Sequence, residues 1–366
     1  MECVSSQGSI PTSKAMAKTK NDVAAQVIAA INKGFKGGAT RLAQGAKSDV
    51  REVIPTGLEN LDKYVLGVGG LPVGRISELF SEEGAGKTTI LLQAIASCQR
   101  MGGLAILTET ETALDSQRAK VFGVDLDSVV LLQPDHIPEA GQQIELALQS
   151  IPKGVGPVLV GWDSVAATMS KQEAEEGLPD KESFDKRAKE FSAMMRVLGP
   201  LVAKSRCHLM LINQVRANIG VMFGDKFTTP CGKAIKFHAS IRLQMYPGKA
   251  IKDAAGQHEG KDITIIAVKN KLTRPFRKTK IRLWYDRGFD NDWGVLNHAK
   301  DLGLIDARNR DVKGARTALD AADWYRTKGG ATAEAADKLG DMPSAADDDD
   351  EFTTLPPKGD HDPEGL

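Results

Sequence analysis

The chain has 366 residues, of which 41% are hydrophobic, enough to bury the core of one large domain or two. Its 48 basic and 48 acidic residues cancel, so net charge alone neither favours nor excludes an anionic partner. Four scattered cysteines without a C-x-x-C pair argue against a disulfide framework or a zinc knuckle. The chain has neither a membrane-length apolar run nor a signal-peptide core, so we expect a cytoplasmic protein without a membrane partner.

The N-terminal part is predicted to consist of a disordered extension over 1–20 and an oligomerisation helix with its linker over 21–51. The helix itself covers 21–33, where apolar residues recur at helical spacing behind Asn21, which can cap the first turn. Such a short helix cannot hold a core alone. We therefore expect it to dock on the rest of the chain or on a neighbouring subunit.

Residues 52–290 are predicted to form an α/β core with a mostly parallel sheet flanked by helices. Short apolar runs, the first of them LAILT, alternate with helical stretches, a pattern typical of such a sheet. The last three runs (SIRLQMY, ITIIAV and KIRLWY) have no long helix between them, which indicates antiparallel strands added at one edge. The predicted helices of the core include 88–101, 138–151 and 184–204.

Beyond residue 290 the sequence becomes polar and mixed. We predict a small C-terminal region over 291–340, with helices within 293–325, and an acidic disordered tail over 341–366 that contains DDDDE.

The stretch FSEEGAGKTT at 80–89 is typical of a phosphate-binding loop, because it follows the strand-like GRISELF and opens a helix. Backbone N–H groups and the helix N-terminus would hold the phosphates, with Lys87 at the β- and γ-phosphates and the Thr88 hydroxyl on Mg²⁺. The pattern G-x-x-x-x-G-K-[ST] has glycine where this chain has Ser81, a tolerable change if Ser81 keeps a negative φ. The predicted nucleotide contacts in this loop are Ser81, Glu82, Glu83, Gly84, Ala85, Gly86, Lys87, Thr88 and Thr89.

Three acids downstream are candidates for the chemistry. Asp163 ends the apolar run in PVLVGWDSVAA, which predicts a carboxylate at the C-terminal edge of a central strand that holds Mg²⁺ through water. ILTETETALD offers Glu109 and Glu111, either of which could orient or deprotonate an attacking water or be a solvated loop acid. The residues alone do not choose between them.

The segment LINQVRANIGVMFGDKFTTPCGKA combines a strand end with a flexible, partly basic stretch. An amide from Asn213 or Gln214 could contact a γ-phosphate, and Met222 and Phe223 could serve as apolar wedges between the bases of single-stranded nucleic acid. An ordinary surface loop is the alternative. The basic run VKNKLTRPFRK could contact phosphate or simply be a solvated face; its cations are Lys269, Lys271, Arg274, Arg277 and Lys278.

Together, residues 22 to 290 resemble the RecA family of ATP-dependent DNA strand-exchange recombinases. The resemblance is carried, in family order, by TGLENLDKYVLGVGGLPVGRISELF, TALD, GVDLDSVVLLQPD, DSVAA, INQVRANIGVMFGD, KAIKFHASIRL and VKNKL. The poor match after residue 290 favours a phage-encoded member, which would act in the host cytoplasm.

The resemblance assigns the nucleotide site. It implies that Glu111 is the catalytic glutamate and that Gln214 senses the γ-phosphate and relays it to a DNA loop over 215–232. Asp115 and Arg118 fall on the nucleotide-binding side, where Arg118 replaces the tyrosine that stacks on adenine in bacterial members; a guanidinium plane can also stack.

The resemblance also implies a first DNA loop over 173–184 and a filament in which ATP sites are shared. Phe184 and Phe223 would intercalate between base triplets, and Lys269 and Lys271 would reach the ATP of the adjacent protomer. The implied DNA-binding residues are Phe184, Arg196, Arg216, Met222, Phe223, Gly232 and Lys233.

The leading functional hypothesis is therefore an ATP- and Mg²⁺-dependent recombinase that forms a filament on single-stranded DNA and exchanges strands with homologous duplex. One alternative is a ring-shaped DnaB-like helicase, which usually carries a scaffolding domain and an in-trans arginine instead of VKNK. A KaiC-like ATPase would not need the GVMFGDKFTTP segment. A third is a catalytically silent filament protein, which Ser81 would permit.

Overall fold

The computed structural model divides the chain into two compact units, residues 1–51 and 52–366. In the first unit, helix α1 (Ser13–Gly34) begins well before the predicted start at residue 21. The described residues are 13–35, 50, 52–111, 115–177, 181–217 and 227–328. Residues 1–12 and the predicted acidic tail therefore lie outside this range, and the predicted boundaries at 290 and 340 stay predictions.

The second unit is a mixed α/β fold. Its strands are β1 (Val53–Ile54), β2 (Leu71–Pro72), β3 (Ile76–Ser81), β4 (Leu104–Glu109), β5 (Val129–Leu132), β6 (Val158–Asp163), β7 (Cys207–Gln214), β8 (Arg216–Ala217), β9 (Phe227–Thr228), β10 (Ile241–Lys252), β11 (His258–Asn270), β12 (Lys278–Trp284) and β13 (Gly288–Phe289). Its helices are α2 (Lys87–Arg100), α3 (Ser116–Val121), α4 (Ile137–Ser150), α5 (Lys171–Glu176), α6 (Lys181–Lys204), α7 (Gly232–His238), α8 (Asn291–Asp301) and α9 (Val312–Lys328). The predicted core helices correspond to α2, α4 and α6.

Nine of the described strands form one sheet in the order β13-β12-β11-β10-β3-β7-β6-β4-β5. In this order, the five adjacent strands β3, β7, β6, β4 and β5 are mutually parallel, and β10 is parallel to β3. Antiparallel pairing begins between β10 and β11 and continues to β13. The predicted fold class is thus confirmed, although β10, the first of the three added strands, still runs parallel to its inner neighbour.

Helices cover both faces of the parallel part of the sheet. One apolar cluster joins α2 to the sheet, and a second joins α4, α6 and α7 to the opposite face. Because both faces are covered, every residue of β3 and β6 is buried, as expected for parallel strands.

Helix α2 and strand β6 approach each other closely at Gly161. A Cβ on Gly161 would lie 2.6 Å from Leu91 Cδ1, nearer than side-chain carbons pack. Glycine therefore lets α2 lie directly on the strand that ends at Asp163.

The C-terminal helices α8 and α9 form a small satellite cluster, here called the cap, in agreement with the helices predicted within 293–325. They pack around Tyr64, whose hydroxyl donates to Asp320 Oδ1 at 2.8 Å. Arg316 of α9 pairs with Glu59 at 2.8 Å and fixes the cap to the N-terminal part of the core. Among the helices described, none has the length and apolar character needed to cross a membrane.

Candidate nucleotide-binding and catalytic site

The predicted phosphate loop connects the end of β3 to the start of α2. Gly84 and Gly86 have φ values of +68° and +83°, a backbone conformation that glycine adopts without strain. Ser81 is the last residue of β3 and does not have a positive φ. The condition set by the sequence is therefore met: a serine side chain at this position costs the loop no backbone strain.

Lys87 lies folded into the loop. Its Nζ donates to Ser81 Oγ at 2.9 Å and to the Glu82 carbonyl at 2.8 Å. Burial lowers the pKa of Lys87, while the carboxylates of Asp163, Glu111 and Glu83 oppose this shift. The ammonium group is thus desolvated and held by weak neutral acceptors, which phosphate oxygens can replace with charge-assisted hydrogen bonds.

Thr88 and Asp163 meet at the C-terminal edge of the sheet. Thr88 Oγ1 donates to Asp163 Oδ2 at 2.6 Å, and burial raises the pKa of Asp163 to about 6 although this hydrogen bond opposes the shift. A hydroxyl beside a carboxylate is an oxygen donor set suited to Mg²⁺. These residues therefore fit the predicted metal contacts.

Glu111 lies at the meeting point of three strand ends. Its Oε1 accepts a hydrogen bond from the Ser164 hydroxyl and another from Gln214 Nε2 at 3.2 Å. Its backbone N–H donates to Glu109 Oε1 at 3.1 Å. The two acids of ILTETETALD thus have different environments: Glu109 is buried at the end of β4, whereas Glu111 is exposed.

Asn213 and Gln214, the two amides at the end of β7, point in different directions. The Asn213 side chain is buried and donates to Glu78 Oε1 and to the Pro230 carbonyl, each at 3.0 Å. Its Oδ1 accepts the Gln214 N–H at 3.0 Å, and Glu78 forms a buried ion pair with Arg242 at 2.5 Å. Asn213 therefore anchors the strand end, and Gln214 is the amide that faces Glu111.

A cavity of about 40 Å³ opens between α2 and the acidic strand ends. This is enough for about one water molecule, whose share of the liquid is roughly 30 Å³. It is lined by Thr88, Leu91, Leu92, Leu107, Glu109, Glu111 and Asp163.

Asp115 and Arg118 lie on the short helix α3. The Asp115 carboxylate caps this helix by accepting the N–H groups of Gln117 at 2.9 Å and Arg118 at 3.2 Å. Arg118 Nη2 approaches Thr89 Oγ1 at 3.4 Å, which brings its guanidinium to the first turn of α2. Arg118 is therefore adjacent to the phosphate loop, on the side where the family resemblance implies the adenine base.

Lys269 and Lys271 are remote from the phosphate loop of their own chain. The lysine of β11 that reaches this loop is Lys261, whose Nζ donates to the Gly84 carbonyl and lies 5.6 Å from the Tyr285 ring centroid. Lys269 is eight residues further along the same strand, roughly 26 Å away at 3.3 Å per residue. A lysine side chain cannot span that distance.

The predicted DNA-binding residues are only partly described. Arg196 on α6 and Lys233 on α7 are exposed, and Gly232 is the first residue of α7. Phe184 lies in α6 and Arg216 in the short β8–β9 pair, but their side chains are outside the described part of the chain, as are Met222 and Phe223. Much of the predicted first loop is helical, because α5 ends at Glu176 and α6 begins at Lys181.

Three residues of the site were not predicted from the sequence: Ser164, Asn213 in its anchoring role, and Lys261. Ser164 follows Asp163 directly, so the DSVAA motif carried a local signal for it. Lys261 had none, since only the tertiary fold brings it to Gly84.

The fold and the site define a P-loop ATPase with a RecA-type core: a phosphate loop after β3, an acid at the end of β6 and a polar amide at the end of β7. The family model for the RecA N-terminal domain matches residues 22–290. The chain is 40% identical to Protein RecA of Ruminococcus albus over 290 residues, which cover 79% of this chain and 71% of that protein. It is 38% identical to Protein RecA of Aquifex pyrophilus (76% and 78% covered) and 38% identical to that of Thermus aquaticus (80% and 84% covered). The chain belongs to the RecA family.

The contact between Ser81 and Lys87 predicts the effect of removing the hydroxyl. In wild type, Lys87 must give up its hydrogen bond to Ser81 before it can bind a phosphate, and Ser81→Ala removes this cost. One hydrogen bond contributes about 1 kcal/mol, so nucleotide should bind the variant about fivefold more tightly. The measurement is the Kd of a fluorescent ATP analogue. Ser97→Ala, which removes a buried hydroxyl from α2 instead, is the matched control and should bind like wild type. Weaker binding by Ser81→Ala would show that the hydroxyl assists the nucleotide.

Proposed function

We propose that this site binds ATP with Mg²⁺ and hydrolyses it in a filament on single-stranded DNA, and that this cycle drives pairing and strand exchange with homologous duplex. The observation that carries the proposal is the hydrogen bond from Gln214 Nε2 to Glu111 Oε1 at 3.2 Å. It joins the candidate water-activating acid to the first residue before the predicted DNA segment, 215–232.

Lys87 and the backbone N–H groups of the loop would hold the phosphates of ATP, with Arg118 and Asp115 on the side of its adenine. Thr88 and Asp163 would hold Mg²⁺, which neutralises charge on the phosphate oxygens when bound. The fit rests on the donor set: a hydroxyl and a carboxylate oxygen 2.6 Å apart beside a desolvated lysine.

Glu111 is the proposed general base. A water in the cavity beside it would pass a proton to the carboxylate as its oxygen attacks the γ-phosphorus. The bond from that phosphorus to the bridging oxygen then breaks, and ADP leaves. Lys87 would stabilise the charge that develops on the transferred group.

Gln214 is the proposed link between nucleotide and DNA. Its amide can contact the γ-phosphate or Glu111, so the presence of the phosphate would change how this side chain directs the segment that follows. Strand exchange replaces base pairs with like base pairs, so its free-energy change is close to zero. ATP binding would therefore stabilise the DNA-holding state, and hydrolysis would release it.

Lys269 and Lys271 are proposed to act on the ATP of a neighbouring protomer. The support is their distance from the chain's own phosphate loop, which Lys261 contacts instead. A head-to-tail contact of this kind generates a helical filament when successive copies do not close into a ring.

The proposed DNA contacts combine phosphate binding with insertion of apolar side chains between bases. Exposed Arg196 and Lys233 are suited to the DNA backbone. Arg216 and Gly232 are proposed as further contacts. Phe184, Met222 and Phe223 are proposed as the apolar group. The site of action would be the cytoplasm, or the host cytoplasm for a phage-encoded chain.

Family membership favours the recombinase over the ring helicase and the KaiC-like ATPase, since the family model for the RecA N-terminal domain spans the whole core, 52–290. Family membership does not separate an active recombinase from a catalytically silent filament protein, so this choice depends on the catalytic residues. An orphaned or displaced acid at Glu111 would favour the silent protein, but here Glu111 contacts both Ser164 and Gln214.

The two candidate acids can be separated by matched substitutions. Glu111→Gln removes the proposed base, so ATP turnover at saturating single-stranded DNA should fall by about two orders of magnitude or more, while ATP and DNA still bind. Glu109→Gln keeps the carbonyl oxygen that accepts the Glu111 N–H and should lose far less. The assay is steady-state phosphate release. Equal losses, or a larger loss in Glu109→Gln, would reassign the base.

Mixing two inactive variants tests whether the site is shared. Lys269→Ala lacks the proposed trans contact but retains Glu111; Glu111→Gln retains Lys269 but cannot hydrolyse. In a 1:1 mixture, about a quarter of head-to-tail contacts would pair an intact Glu111 with an intact Lys269, so activity should exceed that of either variant alone. Mixing each variant with itself at the same total concentration is the control. A mixture no more active than the mean of its parts would place Lys269 outside the ATP site.

A further inference from the structure

Ser164 is part of the site but belongs neither to the phosphate loop nor to the acidic residues, and the proposed function gives it no role. It follows Asp163 at the end of β6, and no part of it is exposed. Its hydroxyl donates to Glu111 Oε1 and accepts the Ala167 N–H at 3.3 Å.

The backbone of Ser164 is fixed from both sides. Its N–H donates to Thr110 Oγ1 at 3.2 Å, and its carbonyl accepts from Thr110 Oγ1 and from Thr168 Oγ1, each at 2.9 Å. Thr110 precedes Glu111 directly in the chain. The strand end that carries Ser164 and the segment that carries Glu111 are thus tied together at two successive residues.

These contacts set the direction of the hydroxyl proton. A serine hydroxyl has one proton to donate, and because Ala167 donates to its oxygen, that proton is available to Glu111. Gln214 Nε2 donates to the same carboxylate oxygen, Oε1. With both donors on Oε1, the carboxylate is oriented so that Oε2 can receive the proton of an attacking water.

An exposed glutamate needs such an orientation. A free glutamate side chain samples several rotamers, and this freedom must be lost before the carboxylate can hold water in one place. Ser164 lies on a buried, rigid strand end and can restrict the carboxylate before substrate arrives. Gln214 directly precedes the proposed DNA segment, 215–232, so its contact with Glu111 is the one that can depend on DNA.

We propose that Ser164 is a positioning residue that holds Glu111 in the orientation needed to activate water, independently of DNA. This inference rests on the proposed function, in which Glu111 is the base. Ser164 touches neither ATP nor water in this role and acts through Glu111 alone.

The inference predicts a loss in turnover without a loss in binding. Ser164→Ala should lower kcat for ATP hydrolysis about tenfold, both with and without single-stranded DNA, because a base left mobile is correctly placed only part of the time. KM for ATP and affinity for single-stranded DNA should stay within about twofold of wild type. Ser164→Cys, similar in size but a weaker donor, should fall between wild type and Ser164→Ala. Ser77→Ala, which removes another buried hydroxyl from the same sheet, is the control and should leave kcat unchanged.

The double variant separates this inference from the proposed function. If Ser164 acts only through Glu111, Ser164→Ala added to Glu111→Gln should cause no further loss. A slow Glu111→Gln with a normal kcat in Ser164→Ala would overturn the role of Ser164 alone, and so would a raised KM with kcat unchanged. A Glu111→Gln with normal turnover would instead overturn the proposed base and, with it, this inference.

Discussion

The parallel register of the central strands is the constraint on which the site depends. In that register Ser81 is paired with Gln214 and Glu109 with Asp163, so four functional segments leave the sheet at one edge. The phosphate loop follows β3, the water-activating candidate follows β4, the metal-binding candidate ends β6 and the amide ends β7. A shift of one residue in any pair would turn the end side chains to the opposite face and separate these groups.

Some parts of this arrangement could be predicted from the sequence because their signals are local. The phosphate loop is a contiguous motif between a strand and a helix, and Asp163 ends an apolar run. The local sequence does not distinguish Glu109 from Glu111. Two acids at alternate positions look equivalent until the positions of Ser164 and Gln214 are known. The family resemblance selected Glu111, and the geometry supports that choice through contacts that the spacing does not reveal.

Other parts depend on the tertiary fold. Whether serine could replace glycine at position 81 depended on a backbone angle, and the separate directions of Asn213 and Gln214 depended on which neighbour each amide meets across the sheet. The length of β11 is a further case. One end of this strand brings Lys261 to the phosphate loop of its own chain, while the other carries Lys269 away from that loop, where we propose that it reaches the nucleotide of another molecule.

We propose that Gln214 connects DNA binding to hydrolysis at Glu111. The most direct measurement is ATP turnover with and without single-stranded DNA, in wild type and in Gln214→Ala, with ATP binding measured in parallel. We expect DNA to stimulate ATP turnover strongly in wild type, and Gln214→Ala to bind ATP but to show almost no stimulation. Absence of stimulation in wild type, or full stimulation in Gln214→Ala, would contradict this proposal.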